Sequence, residues 1–225
     1  MNQMKRNPVT TTTRLLPVLV AVLAALLLTA TAYAAAPGIT GPTFNLTAQP
    51  SYITQPDGQM VYSWGYGCNG APSGYAPAAI TTGFCNSMQV PGPTLIVTEG
   101  DSVTVNLTNS LPAAAGNTSI LFPGFNVTGS GIDSVVGLLA QEAPHSKTVT
   151  YKFTASSPGT RAYYSGTQGD LQVEMGLYGA IIVLPKTVPG ICKGNTGNFA
   201  GGNGVAESHW GEADFRLAPD AYVHP

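Results

Sequence analysis

Metal and redox chemistry would have to come from three histidines and three cysteines, and acid–base or nucleophilic chemistry from acids such as Glu142, Asp170 and Glu174 and a hydroxyl such as that of Ser165. His145, His209 and His224 lie on separate segments, and Cys192 stands 17 residues from the nearest histidine. A type 1 copper site takes two histidines and a cysteine, with the cysteine and second histidine close in sequence, so no such site is expected here. His145, in "EAPHSK", reads as a solvated residue of the turn before a strand. Glu142, Asp170 and Glu174 are the acids near the segment "PGTRAYYSGTQGDLQVEMGLYGAIIVLP" (158–185), and carboxylates at such turns are expected in solvent, with no nucleophile beside them. Ser165, in "YYSGTQG", has no G-x-S-x-G frame and no neighbouring histidine, which argues against hydrolysis. The reading is therefore of a chain with no catalytic residue, no cofactor-binding residue and no metal ligand of its own.

The elements around these residues are strands. Gly and Pro number 27 and 18 and punctuate short segments of alternating apolar residues. In "DSVTVNLTNS" Val103, Val105 and Leu107 share one face, and in "HSKTVTYKFTAS" Val149, Tyr151 and Phe153 do the same. "LYGAIIVLP" is a continuous apolar run of strand length, as expected of a strand covered on both sides. "TEGD" (98–101) and "SSPG" (156–159) are turns between strands. At most one short helix is expected, near 132–141. The architecture predicted is an all-β sandwich over 43–185, preceded by a tail (35–42) and followed by a Gly-rich linker (186–208). The last stretch, 209–225, containing "EADFRLAPDAYVHP", looks like the opening of a second, incomplete strand-rich unit.

Lys5, Arg6 and Arg14 precede the 14-residue apolar run "LLPVLVAVLAALLL", and small residues follow at Ala32 and Ala34. That is the pattern of a secretory signal over 1–34 with cleavage after Ala34; the run is shorter than the roughly 20 residues a membrane span needs. The expected location is secreted, periplasmic or extracellular, with no membrane attachment after cleavage. Without the signal, six Lys/Arg face eleven Asp/Glu, a balance of −5 with no basic run. Nothing there would follow a nucleic-acid backbone or dock on anionic lipid. In an oxidising compartment Cys68 and Cys85, flanking a 16-residue turn-rich loop, are the nearest pair for a disulfide, worth about 3 kcal/mol in the loop-entropy picture. Cys192 is left free, intermolecular, or the true partner of either. Asn45, Asn106, Asn117 and Asn126 each open an N-x-S/T sequon.

Read in order, "PGPTLIVTEGDSVTVNLTNSLP" (91–112), "TSILFPG" (118–124), "YKFTASSPGTRAYYSG" (151–166) and "MGLYGAIIVLP" (175–185) resemble the N-terminal plastocyanin-like (cupredoxin) domain of multicopper oxidases, over about 95 residues. The resemblance implies a Greek-key cupredoxin-like β-sandwich, an exported protein, and oxidation by a type 1 copper and a three-copper cluster shared with a later domain. In such oxidases the first domain supplies four imidazoles, from "TxIHWHG" and "GTYWYHSH". The corresponding positions here are Leu121, Pro123, Tyr164 and Gly166. Leucine, proline and glycine offer no side-chain donor, and a phenol of ordinary pKa about 10 is a poor copper ligand at neutral pH. Met175 stands where an axial thioether would be in a blue-copper site, and without the other ligands it reads as core filler. Leu121 and Phe122 are expected to pack inward or against a neighbouring domain, and 166–169 to form a turn.

The function expected is that of an exported, multicopper-oxidase-like cupredoxin domain, the N-terminal part of an oxidase-type protein, lacking its trinuclear copper ligands and inactive alone. No cofactor is expected in this chain, although the family uses copper, and the partners expected are further cupredoxin domains or a separate chain carrying them. The alternative is a metal-free binding or structural module of the cell envelope.

Overall fold

The computed structural model describes residues 36–76, 85 and 87–187. The signal segment, Cys192, His209, His224 and nearly all of the linker and tail lie outside the described residues.

The alternating segments pair as their apolar faces require. One sheet runs β3(Met60–Cys68), β2(Thr43–Thr54), β6(Ser102–Asn109), β10(Thr148–Thr154), β7(Thr128–Ser130); the other runs β11(Gly159–Tyr164), β12(Tyr178–Leu184), β5(Leu95–Thr98), β1(Gly38–Thr40), β4(Gly74–Ala76). A separate two-stranded ladder joins β8(Val135–Val136) to β9(Gln141–Glu142). The register of β6 and β10 sets Val103 opposite Phe153, Val105 opposite Tyr151 and Leu107 opposite Val149, and all six are buried. Leu95, Val97, Tyr163, Ile181 and Val183 of the second sheet belong to the same core. Each such side chain contributes roughly 1.5–3 kcal/mol by leaving water. The parallel pairs β2·β6, β1·β5 and β5·β12 force the chain to cross between sheets, giving the Greek-key cupredoxin-like sandwich.

The "TEGD" turn is made by Gly100 at φ 95°, with the Asp101 carboxylate accepting the Thr98 N–H at 2.7 Å. Cys68 and Cys85 are bonded to one another, with Cα atoms 5.2 Å apart.

Three local expectations differ. The tail 35–42 contains a strand, because β1 lies parallel to β5 and antiparallel to β4, burying Ile39. Residues 132–141 are not helical: Gly131 and Gly137 interrupt the segment, and its apolar residues point outward from a short β ladder. The described α-helix, α1(Gly169–Gln172), is a single turn placed where a turn was expected. The apolar run of β12 is covered fully on one face only: Ile181 and Val183 enter the core, while Ile182 is half-buried beside a small outer cluster of Ala76, Ile96 and Leu184.

Candidate functional site

The segment "TSILFPG" is fixed from both sides. Thr118 and Ala143 exchange backbone hydrogen bonds at 3.0 and 2.8 Å, and Leu121 and Tyr164 do so at 2.7 and 3.3 Å. The Tyr151 hydroxyl accepts the Ile120 N–H at 3.1 Å and donates to the Gln141 carbonyl at 2.6 Å. Strand alternation then sends Ile120 and Phe122 inward and leaves Leu121 and Pro123 on the other side. Phe122 stacks among Phe153, Tyr163 and Tyr151 at centroid distances of 4.8, 5.9 and 6.1 Å. In β11 and its extension, Tyr163 and Ser165 are buried while Tyr164 and Gly166 are half-buried.

Leu121, Tyr164 and Gly166 therefore converge on one corner, with exposed Pro123 at its rim. A Cβ added to Gly166 would lie 2.8 Å from Leu121 Cγ, so the leucine occupies the space that a side chain at 166 would use. Two shallow cavities flank Leu121. One, of about 410 Å³, is bordered by Leu121, Pro123, Phe125, Leu139 and Tyr151 among others; the second, of about 380 Å³, by Leu121, Leu139, Tyr164, Gly166 and Val173.

Beneath the corner lies a layer of neutral polar side chains that the sequence reading missed. Gln172, fully buried, accepts from Thr118 Oγ1 at 2.9 Å and Ser165 Oγ at 2.7 Å, and donates to the Asn117 carbonyl at 2.8 Å. Ser119 Oγ and Thr167 Oγ1 lie 2.8 Å apart, and Thr167 Oγ1 donates to Glu142 Oε1 at 2.8 Å. Asn117 Nδ2 donates to Glu142 Oε2 at 3.0 Å, and the Gly166 N–H to Ser119 Oγ at 3.2 Å. Glu142 is thus half-buried and doubly hydrogen-bonded, a correction to its reading as solvated, while Asp170 and Glu174 are exposed. Among the described residues no buried side-chain nitrogen or oxygen lacks a partner. A serine and a threonine two apart near the corner, facing "TS" at 118–119, were the available signal.

Three buried tyrosines lie around this layer, and one of them, Tyr66, bonds it directly. Tyr66 donates to the Ser119 carbonyl at 3.0 Å, and Tyr163 to the Pro93 carbonyl at 2.7 Å. Burial pushes the phenols of Tyr66 and Tyr163 well above the usual tyrosine range; it does the same for Tyr151, partly offset by the hydrogen bond from Ile120.

Met175 is half-buried against the core, and the exposed His145 places Nδ1 2.8 Å from the Leu111 carbonyl. Ser165 bonds Gln172 and Thr167 rather than a histidine. Among the described residues no three His, Cys, Asp or Glu side chains stand together as a metal-holding group. The corner does not fit a copper cluster: an alkyl side chain fills it, the polar groups below bond one another, and the functional group bordering it is the Tyr164 phenol.

A sequence model of the multicopper oxidase family matches residues 75–188. The chain is 36% identical over 118 residues to the multicopper oxidase MCE of Talaromyces pinophilus, covering 52% of this chain and 18% of that protein. It is 38% identical over 96 residues to an L-ascorbate oxidase of Brassica rapa subsp. pekinensis, covering 42% of this chain and 16% of that protein. The chain thus spans less than a fifth of the length of these relatives. Among solved structures it is similar to Lac15 from a marine microbial metagenome, with a TM-score of 0.46 and 24% identity over 67% of this chain and 34% of that one.

Proposed function

Because the chain belongs to the multicopper oxidase family, we propose that it is an exported cupredoxin domain of an oxidase-type protein that has given up its share of the trinuclear copper site and does not oxidise substrates alone. The observation that carries this reading is the convergence of Leu121, Tyr164 and Gly166, with Pro123 at the rim, where the family's motifs place four imidazoles. A cluster needs donors preplaced on rigid strands. Here the strands keep their places and the donors are absent. The satisfied polar layer below supports a fold that stands without metal, since among the described residues no buried side-chain nitrogen or oxygen lacks a partner. A further cupredoxin domain, in the same or a separate chain, is the partner this reading implies, and a type 1 copper could reside there.

The test is copper loading followed by desalting and elemental analysis, with thermal melts run with and without chelator. Far less than one copper per chain and a melt unmoved by chelator are expected; about one copper per chain, or a melt lowered by chelator, overturns the reading. For export, the amino terminus of the secreted product should lie at or near Ala35, and retention of Met1 in the mature protein counts against it.

A second reading, a metal-free binding module of the cell envelope, draws support from the apolar residues exposed over 132–139, among them Ile132, Val136 and Leu138. Reading the DNA downstream of codon 225 separates the two. An in-frame or adjacent cupredoxin sequence favours the first, and its absence the second.

A further inference from the structure

Residues 132–141 stand apart from the sandwich in how they are held. Their regular pairing is limited to Val135 with Glu142 and Val136 with Gln141, closed by the Gly137 N–H donating to the Ala140 carbonyl at 3.0 Å. Ile132, Val136 and Leu138 are 102%, 84% and 94% exposed, so none of them anchors the segment in the core. An isolated two-stranded ladder of this size is marginal in water. Outside the ladder, the Asp133–Lys147 ion pair at 3.0 Å is half-exposed on both sides and contributes little.

Two attachments remain at the C-terminal end of the segment: the Gln141 carbonyl accepts from Tyr151 at 2.6 Å beside Ala140, which packs on the core, and Glu142 follows. Its carboxylate accepts from Asn117 and Thr167 in the floor of the corner, and the same carboxylate packs against Gly137, where a Cβ would collide with it. It therefore joins the turn of the segment to the polar layer. Farther along, Leu139 lines both cavities, and Leu121 is the other residue shared between them. Leu139 thus stands at the divide between two cavities of about 410 and 380 Å³ while remaining 64% exposed itself.

We propose that residues 132–141 form a lid over the corner, latched by the Glu142 carboxylate, whose opening joins the two flanking cavities into one groove. The lid swings between Gly131 and Ala143, the latter pinned by its hydrogen bonds to Thr118. Opening costs the two-residue ladder, the Gly137 contact, the Tyr151–Gln141 hydrogen bond and the packing of Ala140, and leaves the β6–β10 pairing intact. This holds whether the corner serves an oxidase-type assembly or a binding module.

Hydrogen exchange followed by mass spectrometry on the full chain tests it. Amides of 133–140 should exchange about 100-fold or more faster than those of β6 and β10, reflecting local rather than global opening. Glu142→Ala should speed the lid amides about tenfold further and leave β6 and β10 unchanged. In a Cys192→Ser background, Leu121→Cys should be labelled by N-ethylmaleimide faster when Glu142→Ala is added. Should Glu142→Ala fail to fold, Asn117→Ala and Thr167→Val each remove one latch bond and should speed the lid amides less. Lid amides as protected as those of β10 would overturn the proposal. So would latch variants that leave lid exchange unchanged, or that raise exchange in lid and core together.

Discussion

The middle of the sandwich and its corner end use the same strand geometry and are held by different forces. In the middle, β6 and β10 meet through Val103, Val105, Leu107, Val149 and Phe153, where any apolar residue of suitable volume would serve, with Tyr151 the exception whose hydroxyl is hydrogen-bonded. At the corner, stability comes from a closed set of hydroxyl, amide and carboxylate hydrogen bonds around Gln172 and Glu142, where each member has a specific partner. The core is tolerant in sequence and insensitive to chemistry; the corner is the reverse. On the function proposed above, a cupredoxin framework persists with Leu121, Pro123, Tyr164 and Gly166 where the family's motifs carry imidazoles, because framework and ligands depend on different residues.

The largest expected effect falls on the buried tyrosines, of which Tyr66 and Tyr151 reach from the core to the corner segment. Tyr66, Tyr151 and Tyr163 are held neutral by burial, with folded-state pKa values raised above the ordinary value of the unfolded chain. Their contribution is fully present below about pH 10 and is lost as pH rises beyond it, since the unfolded chain releases protons that the folded one retains. Each costs about 1.4 kcal/mol per pH unit, or about 4 kcal/mol per unit for the three together. Urea melts across alkaline pH should show that slope, and phenolate absorbance should rise for these three of the ten tyrosines only on unfolding. Ordinary titration of all ten in the folded state would break the link between core and corner.

Next in size is a contrast between chain neighbours. Phe122→Ala, emptying the aromatic cluster, should cost about 3–5 kcal/mol, whereas Leu121→Ala, on the half-buried face, should cost no more than about 1.5 kcal/mol. Chemical denaturation of the two variants measures the difference, and equal losses would mean that the corner is core after all.

These expectations follow the division between what the sequence made legible and what it did not. Alternation over 102–109 and 148–154 gave the sandwich because period and composition act locally, and the Cys68–Cys85 bond followed from a short span. The strand Gly38–Thr40 was missed because three residues carry no period; its existence depends on β4 and β5, far along the chain. The segment 132–141 was the place expected for a short helix, yet it forms a two-residue β ladder on which Ile132, Val136 and Leu138 stand exposed. The polar layer was the least visible part. Its bonds join residues such as Thr118 and Gln172, or Ser119 and Thr167, 54 and 48 positions apart, and small polar residues read locally as turn and surface.

A third prediction sharpens the account of that layer. Gln172→Ala removes one acceptor shared by Thr118 and Ser165 and the donor to Asn117, leaving buried groups unpaired. The expected loss is about 1–3 kcal/mol in thermal or chemical melts. A loss below about 0.5 kcal/mol would indicate that water replaces the amide, and the layer would then not be the closed set described here.

The smallest expected effect tests the corner itself. Gly166 has space for no Cβ because Leu121 Cγ and Cδ2 would stand 2.8 and 2.9 Å from it. The obstacle is the end of a half-exposed side chain bordering two cavities, so it can move at modest cost. Gly166→Ala in the native background should therefore destabilise by about 1–2 kcal/mol, the range for mild overpacking. With Leu121→Ala already present the obstacle is gone, and the same glycine substitution should cost close to nothing, a coupling of about 1 kcal/mol in a double-mutant cycle. Additive losses would mean that Gly166 is required by its backbone and not by the leucine. Coupling would mean that the two residues fill one space, so that a donor side chain at 166 could be accommodated only after Leu121 had been cut back.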